Sequence, residues 1–227
     1  MRAILFGSIG SVIETSEIQR EAYNIAFERH GLDWVWDRDT YRGLLATSGG
    51  KARIEAYAER MGEPVGAAEI HRTKTDVFLT MLEAEILPLR DGVAEVLDAA
   101  RETGARTGLV TTTERSVAEE VAAALAAEVP PAVDVLTHRG LGLPDKPNPA
   151  AYLHALEALG VAPEDALAIE DNTDGVTAAR AAGLHVVAFP GQNTRAEDVA
   201  HADAVAEADG LPAAISPHLG AARPAAE

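Results

Sequence analysis

Short apolar runs alternating with helical segments constrain this chain more than any other feature. Ala3 to Phe6, Thr107 to Val110, Ala166 to Ile169 and His185 to Phe189 are each closed by a turn or a helix-start signal. Val133 to Leu136 reads as a fifth strand and Ala204 with Val205 as a short sixth. Helical patterns over Val93 to Glu102, Arg115 to Ala127, Ala150 to Leu159 and Thr173 to Ala182 lie between them. Runs this short and this apolar belong to strands buried on both faces, so the alternation predicts an α/β fold: a doubly wound, Rossmann-like parallel sheet with right-handed crossovers.

One stretch departs from the alternation. Between residues 16 and 85 the pattern is that of amphipathic helices, near Glu17 to His30, Arg38 to Leu45, Lys51 to Met61 and Ala67 to Glu83, with no strand among them. The economical reading is an all-helical cap, 16–85, inserted into a core made of 1–15 and 86–215. Residues 216–227, SPHLGAARPAAE, read as a loose tail. Trp34 and Trp36 are expected to pack inside the cap, with stacking on a sugar as the alternative.

Composition narrows the function classes. With 36 acidic and 19 basic residues the net charge is -17, which argues against nucleic acid as a partner, because a phosphate backbone needs a basic face. Cysteine is absent, which excludes disulfides, thiol nucleophiles and thiolate metal sites and makes a cytoplasmic address the default. No apolar run approaches the roughly 18 residues a bilayer helix needs, and neither a membrane anchor nor a cleavable leader is expected. Nothing in the sequence names a protein partner. The basic residues are 16 Arg and only three Lys, at 51, 74 and 146, so each lysine is a candidate for a compact point charge that matters.

Ligands in such a sheet bind at the carboxyl ends of the strands. After Val110 come Thr111, Thr112 and Thr113 before a helix, a set of hydroxyls and backbone donors suited to an anion and equally to a helix cap. Pro144-Asp145-Lys146-Pro147-Asn148-Pro149 is a rigid turn presenting one ammonium, with Asn148 as the expected N-cap. After Ile169 come Glu170, Asp171 and Asp174, three carboxylates that need a cation or donors nearby; Mg²⁺ suits such an oxygen-rich site, and acidic residues in a first helical turn are the alternative.

Together these strand ends resemble the haloacid dehalogenase superfamily, in the small helical-cap branch of β-phosphoglucomutase and the Calvin-cycle xylulose bisphosphate phosphatases. GLVTTT resembles the family's second motif, with Thr111 as its phosphate-binding hydroxyl and Thr112 beside it. DKPNP resembles the third, with Lys146, and LAIEDNTDGVTAARAAGL the fourth, with Glu170 and Asp171 at the magnesium positions and Asp174 following. In the cap, DWVWDRDTYRGLLATSGGKARI resembles the phosphatase branch, which implies that Lys51 and Arg53 lie near a distal phosphate; Lys74 falls where a cap lysine is expected, and Glu14 and Glu17 stand where the cap begins, as candidates for substrate recognition.

The first motif departs from the family. There the first strand ends in an aspartate that attacks phosphorus and, two residues on, an aspartate that serves as acid and base. Here the sequence is FGSIGSV: Gly7 and Ile9 hold those positions, and no ionisable side chain lies between Arg2 and Glu14. Ser8, by strand alternation, is expected to face away from the site. The resemblance therefore implies a pseudo-phosphatase that binds a phosphorylated sugar or phosphate without forming an aspartyl-phosphate, with Mg²⁺ binding weakened and Lys146 less neutralised. The alternatives are a residual hydrolase using a magnesium-activated water, and an interaction protein with a vestigial pocket.

Overall fold

The computed structural model describes residues 1–45, 49–84, 88–130, 133–207 and 210–219. The chain divides into two units, one comprising Met1–Glu14 with Pro88–Glu227, the other Thr15–Leu87.

In the first unit, β1 (Ala3–Phe6), β2 (Arg106–Val110), β3 (Val135–Thr137), β4 (Ala166–Glu170), β5 (His185–Ala188) and β6 (Ala204–Val205) form one parallel sheet in the order β3-β2-β1-β4-β5-β6. Every residue of β1 and β4 is buried, as sheets covered on both faces require. The strand order reverses between β1 and β4, and the crevice outside the carboxyl ends of two such strands is where open α/β sheets hold ligands. The strands of this unit are joined in part by α5 (Val93–Thr103) and α6 (Arg115–Glu128). On one face, Ala3, Leu5, Ala166 and Ala168 pack against Ala151, Tyr152 and Ala155 of α7 (Ala150–Leu159) and Val176, Ala178 and Ala179 of α8 (Thr173–Ala181). The alanines keep that layer thin, so both helices approach the sheet closely.

Several boundaries differ from expectation by a residue or two, and three of the differences have a cause in the contacts. β3 begins at Val135, because Asp134 closes the turn by accepting the Thr107 amide on its carboxylate while its own amide reaches the Thr107 carbonyl. β4 extends to Glu170, which pairs with Ala188 and is therefore a strand residue, on the same face as Ala166 and Ala168. Ser216–His218 form a 3₁₀ turn whose last carbonyl accepts the N-terminal amine, so the loose tail expected from 216 has an ordered start; 220–227 lie outside the described residues.

The second unit contains α1 (Ser16–Arg29), α2 (Arg38–Leu44), α3 (Gly50–Met61) and α4 (Ala67–Ala84). Its core is aromatic: Tyr23, Phe27, Trp34, Trp36, Tyr41 and Tyr57 are buried together with Ile54 and Ile70. Phe27 and Trp36 meet edge to face at 4.8 Å and Trp34 and Tyr57 at 5.0 Å, contacts worth about 1 kcal/mol each beyond their buried area. With Trp36 fully buried and the Trp34 indole donating to Glu63 at 2.7 Å, both rings are packing residues, with no face left for a sugar. No described helix is long and apolar enough to cross a membrane.

Candidate functional site

Gly7 leaves β1 at the strand-order reversal, one strand away from Glu170. Its carbonyl accepts from Lys146 Nζ, which also donates to the Val110 carbonyl at 2.8 Å and to Glu170 Oε1 at 2.6 Å. The three protons of the ammonium thus have three acceptors, one of them an anion. Lys146 is held there by the turn after β3, where the Asn148 side chain accepts the Ala150 amide at 3.0 Å; α7 starts at Ala150 as its pattern predicts, with Pro149 in place of the expected Asn148 as its cap.

Glu170 is fully buried. Its Oε1 also accepts from the Tyr152 hydroxyl at 2.6 Å, while Oε2 has no hydrogen-bond partner among the described residues. Burial pushes the Glu170 carboxyl above the usual carboxylate range, and the ammonium of Lys146 pulls it back down. Burial also drives the Tyr152 phenol well above its ordinary value, and the negative charge of Glu170 adds to that, so Tyr152 acts as a hydrogen-bond donor. Two glycines make the room. A Cβ on Gly7 would stand closer than 3.0 Å to both Glu170 Oε1 and the Tyr152 hydroxyl, and a Cβ on Gly175 closer than 3.0 Å to the whole Glu170 carboxylate. The space where a first-strand side chain would project is filled by a carboxylate from β4.

Lys146 is accordingly neutralised, contrary to the expectation that losing carboxylates from the first motif leaves its charge exposed. The physical reason is that Glu170 ends a strand and shares the inward face of Ala166 and Ala168, so the vacated volume beside Gly7 lies within its reach. Ser8 also differs from expectation. The chain leaves the strand at Phe6 and turns into a 3₁₀ segment, Ile9–Ser11, capped by Ser8, so the alternation of a strand no longer governs its direction. Ser8 Oγ donates to Asp171 Oδ1 at 2.6 Å, and that oxygen also accepts from Asn172 Nδ2 at 2.7 Å.

Of the other expected residues, Thr111 is buried, its hydroxyl oxygen accepting the Thr113 amide at 3.1 Å and its carbonyl the Thr137 hydroxyl at 2.9 Å; Thr112 is half-buried. Ile9 is buried and apolar. Glu14 accepts the Gln192 amide at 2.8 Å. Asp174 lies in the first turn of α8, which Asn172 caps. In the helical unit, Glu17 pairs with Arg20 at 3.1 Å and Arg38 at 3.3 Å. Lys51 is exposed and pairs with Glu55, whereas Arg53 turns inward, donating to the Leu44 carbonyl at 3.0 Å and to the Tyr23 hydroxyl, so these neighbouring cations of α3 face different surroundings. Lys74 is buried, donates to Gln19 at 2.8 Å and stands about 5 Å above Tyr23 and Phe78. Burial, reinforced by the charge of Arg53, lowers its pKa to about 7.

Two residues of this site escape a reading of motifs. Tyr152 lies in an ordinary apolar helix face, and only its spacing after Lys146 hints at a role. Arg90 donates to the Gly10 carbonyl at 2.7 Å and to the Phe189 and Pro190 carbonyls at 2.8 Å, with its guanidinium 3.5 Å from the Phe189 ring centroid; it ties the first loop to the end of β5. No short motif marks it.

The fold agrees with the comparisons with known proteins. Residues 2–183 match the haloacid dehalogenase-like hydrolases. The chain belongs to this family. It is similar to Protein CbbY of Rhodobacter capsulatus, 38% identical over 209 residues that cover 89% of this chain and 91% of that protein. Among solved structures it resembles CbbY from Rhodobacter sphaeroides in complex with phosphate, with TM-score 0.83, 36% identity and 93% and 96% of the two chains covered. A point variant of the same protein, in complex with xylulose-(1,5)bisphosphate, matches with TM-score 0.83 and 36% identity over 92% of this chain and 95% of that one. The expected family, its parallel α/β sheet and its kinship with sugar-phosphate phosphatases are thereby established.

Phosphatases of this family generally use Mg²⁺. Two carboxylates at the end of β4, Glu170 and Asp171, are the residues that would hold that ion, each with one oxygen already engaged. Glu170 is committed through Oε1 to Lys146 and Tyr152, Asp171 through Oδ1 to Ser8 and Asn172, and no three acidic or histidine side chains among the described residues stand close enough to share a metal. A hard cation would have to use the second oxygens of these two carboxylates, Glu170 Oε2 and Asp171 Oδ2, with water completing its shell.

Proposed function

We propose that this chain is a pseudo-phosphatase of the sugar-phosphate branch: a protein that recognises a phosphorylated sugar or free phosphate and does not form an aspartyl-phosphate. The observation that carries this reading is the occupied space beside Gly7. Position 7 offers no nucleophile, Ile9 offers no acid or base, and the volume a nucleophilic side chain would need is taken by Glu170 and the Tyr152 hydroxyl. The retained Thr111, Thr112 and Lys146 support phosphate as the recognised group, with Glu14, Glu17, Lys51, Arg53 and Lys74 as candidates for the rest of a substrate. The similarity to a CbbY that holds xylulose-(1,5)bisphosphate supports a phosphosugar.

Magnesium binding at Glu170, Asp171 and Asp174 is weak on this reading, and a cytoplasmic address is consistent with the absence of cysteine. The test is phosphate release from a panel of sugar mono- and bisphosphates, with and without Mg²⁺, alongside calorimetric titration of the same compounds. The expected result is binding of at least one compound with release no faster than in buffer. Release well above buffer that Lys146→Ala abolishes would overturn the proposal in favour of a residual hydrolase. Absence of any phosphosugar binding would instead favour an interaction protein with a vestigial pocket.

A further inference from the structure

We propose that Glu170 is a built-in anion: it occupies the Lys146 ammonium and the space beside Gly7, so a phosphate group reaches this point of the site only when Glu170 is displaced. The inference deepens the reading above and rests on it for the ligand class.

Three observations carry it. First, Glu170 is fully buried and its carboxylate lies 2.6 Å from Lys146 Nζ, with the Gly7 and Val110 carbonyls taking the ammonium's other contacts. Second, the pocket for this carboxylate is bounded by two positions without a Cβ, Gly7 and Gly175, either of which would collide with it if it carried a side chain. Third, Tyr152 supplies a second donor to the same oxygen at 2.6 Å, holding the carboxylate in place from the helix side. An incoming phosphate must therefore break a buried, doubly hydrogen-bonded ion pair or bind beside a like charge, and both oppose affinity. The replacement at position 7 thus changes more than chemistry: it lets a neighbouring strand put its own anion where the ligand's would go.

The test is titration of inorganic phosphate by calorimetry into the wild type, Glu170→Gln and Tyr152→Phe, each without and with Mg²⁺. Glu170→Gln keeps the side-chain volume and removes the competing charge, and it is expected to bind phosphate about tenfold more tightly or better. Since that variant leaves a buried ammonium without its counter-ion and can fail to fold, Tyr152→Phe provides the second reading: it keeps the ion pair, loosens the carboxylate, and is expected to raise phosphate affinity about two- to fivefold. In the wild type Mg²⁺ leaves the affinity unchanged. Folded variants that bind phosphate no more tightly than the wild type would overturn the proposal, as would a rise in wild-type affinity on adding Mg²⁺, since the metal would then be drawing Glu170 away from Lys146. The outcome is separable from that of the turnover assay: phosphate release by the wild type would end the pseudo-phosphatase reading while leaving the affinity comparison intact.

Discussion

Gly7→Ala is the smallest change that tests how the site is built. Gly7 is not among the glycines with positive φ, so an alanine is tolerated by the backbone, and in open space the change would stabilise by about 0.4–1 kcal/mol through the unfolded state. The structure predicts the opposite sign. The new methyl would stand closer than 3.0 Å to Glu170 Oε1 and the Tyr152 hydroxyl, both buried, and overpacking of that kind costs about 1–3 kcal/mol. If the methyl drives Glu170 off Lys146 altogether, the loss rises toward the roughly 3–5 kcal/mol of a broken buried ion pair. For a chain of this size each kcal/mol moves the midpoint by about 2–4 °C, so thermal unfolding followed by circular dichroism should show a drop of about 2–12 °C for overpacking alone. The same substitution made in a Tyr152→Phe background, where one of the two colliding atoms is gone, should cost about 1 kcal/mol less, a coupling within the range seen for residues in contact. A Gly7→Ala midpoint equal to or above that of the wild type, or an equal loss in both backgrounds, would refute the geometry on which the site is described.

Restoring the family's first motif with Gly7→Asp and Ile9→Asp is expected to yield no phosphatase activity, because the aspartate at 7 meets Glu170 in the same space; a measurable rate for that double variant would show that Glu170 moves freely. Arg90→Lys should lower stability by about 2 kcal/mol, since an ammonium cannot reproduce the fork that serves three carbonyls and stacks on Phe189, whereas Arg115→Lys at the exposed pair with Glu119 should change the unfolding free energy measured in urea by less than about 0.5 kcal/mol. Lys74 gives a pH dependence. Unfolded, it keeps its proton to about 10.5, while folded it releases it near 7, so the unfolded state binds more protons between these values and stability rises with pH across that window. The penalty, of order 5 kcal/mol at most, is fully present below about pH 7; Lys74→Met should flatten the rise and unfold at higher temperature at pH 6 than the wild type, and an unchanged slope would exclude Lys74 as its source.

The alternation of short apolar strands with helices was sufficient to predict the parallel sheet, because strands buried on both faces and helices of 3.6-residue period leave different marks on a linear sequence. The helical character of α1 to α4 was legible for the same reason. So were the strand ends that carry Thr111, Lys146 and Glu170, since turn and cap residues punctuate the chain locally. That Gly7 and Ile9 bring no reactive group needs no coordinates at all: neither glycine nor isoleucine has a group that attacks phosphorus or moves a proton.

Where the side chains went was decided only by the tertiary structure. Glu170 belongs to the strand by one residue, on the face it shares with Ala166 and Ala168, and its carboxylate is buried beside Gly7. Ser8 escapes strand alternation because the chain has already entered a 3₁₀ turn, and Tyr152 and Arg90 reach the site across 18 and 80 residues of sequence respectively. Such pairings depend on which volumes neighbouring strands and helices leave empty. A missing side chain is visible in the sequence; what fills its place is set by packing, and here a carboxylate fills it.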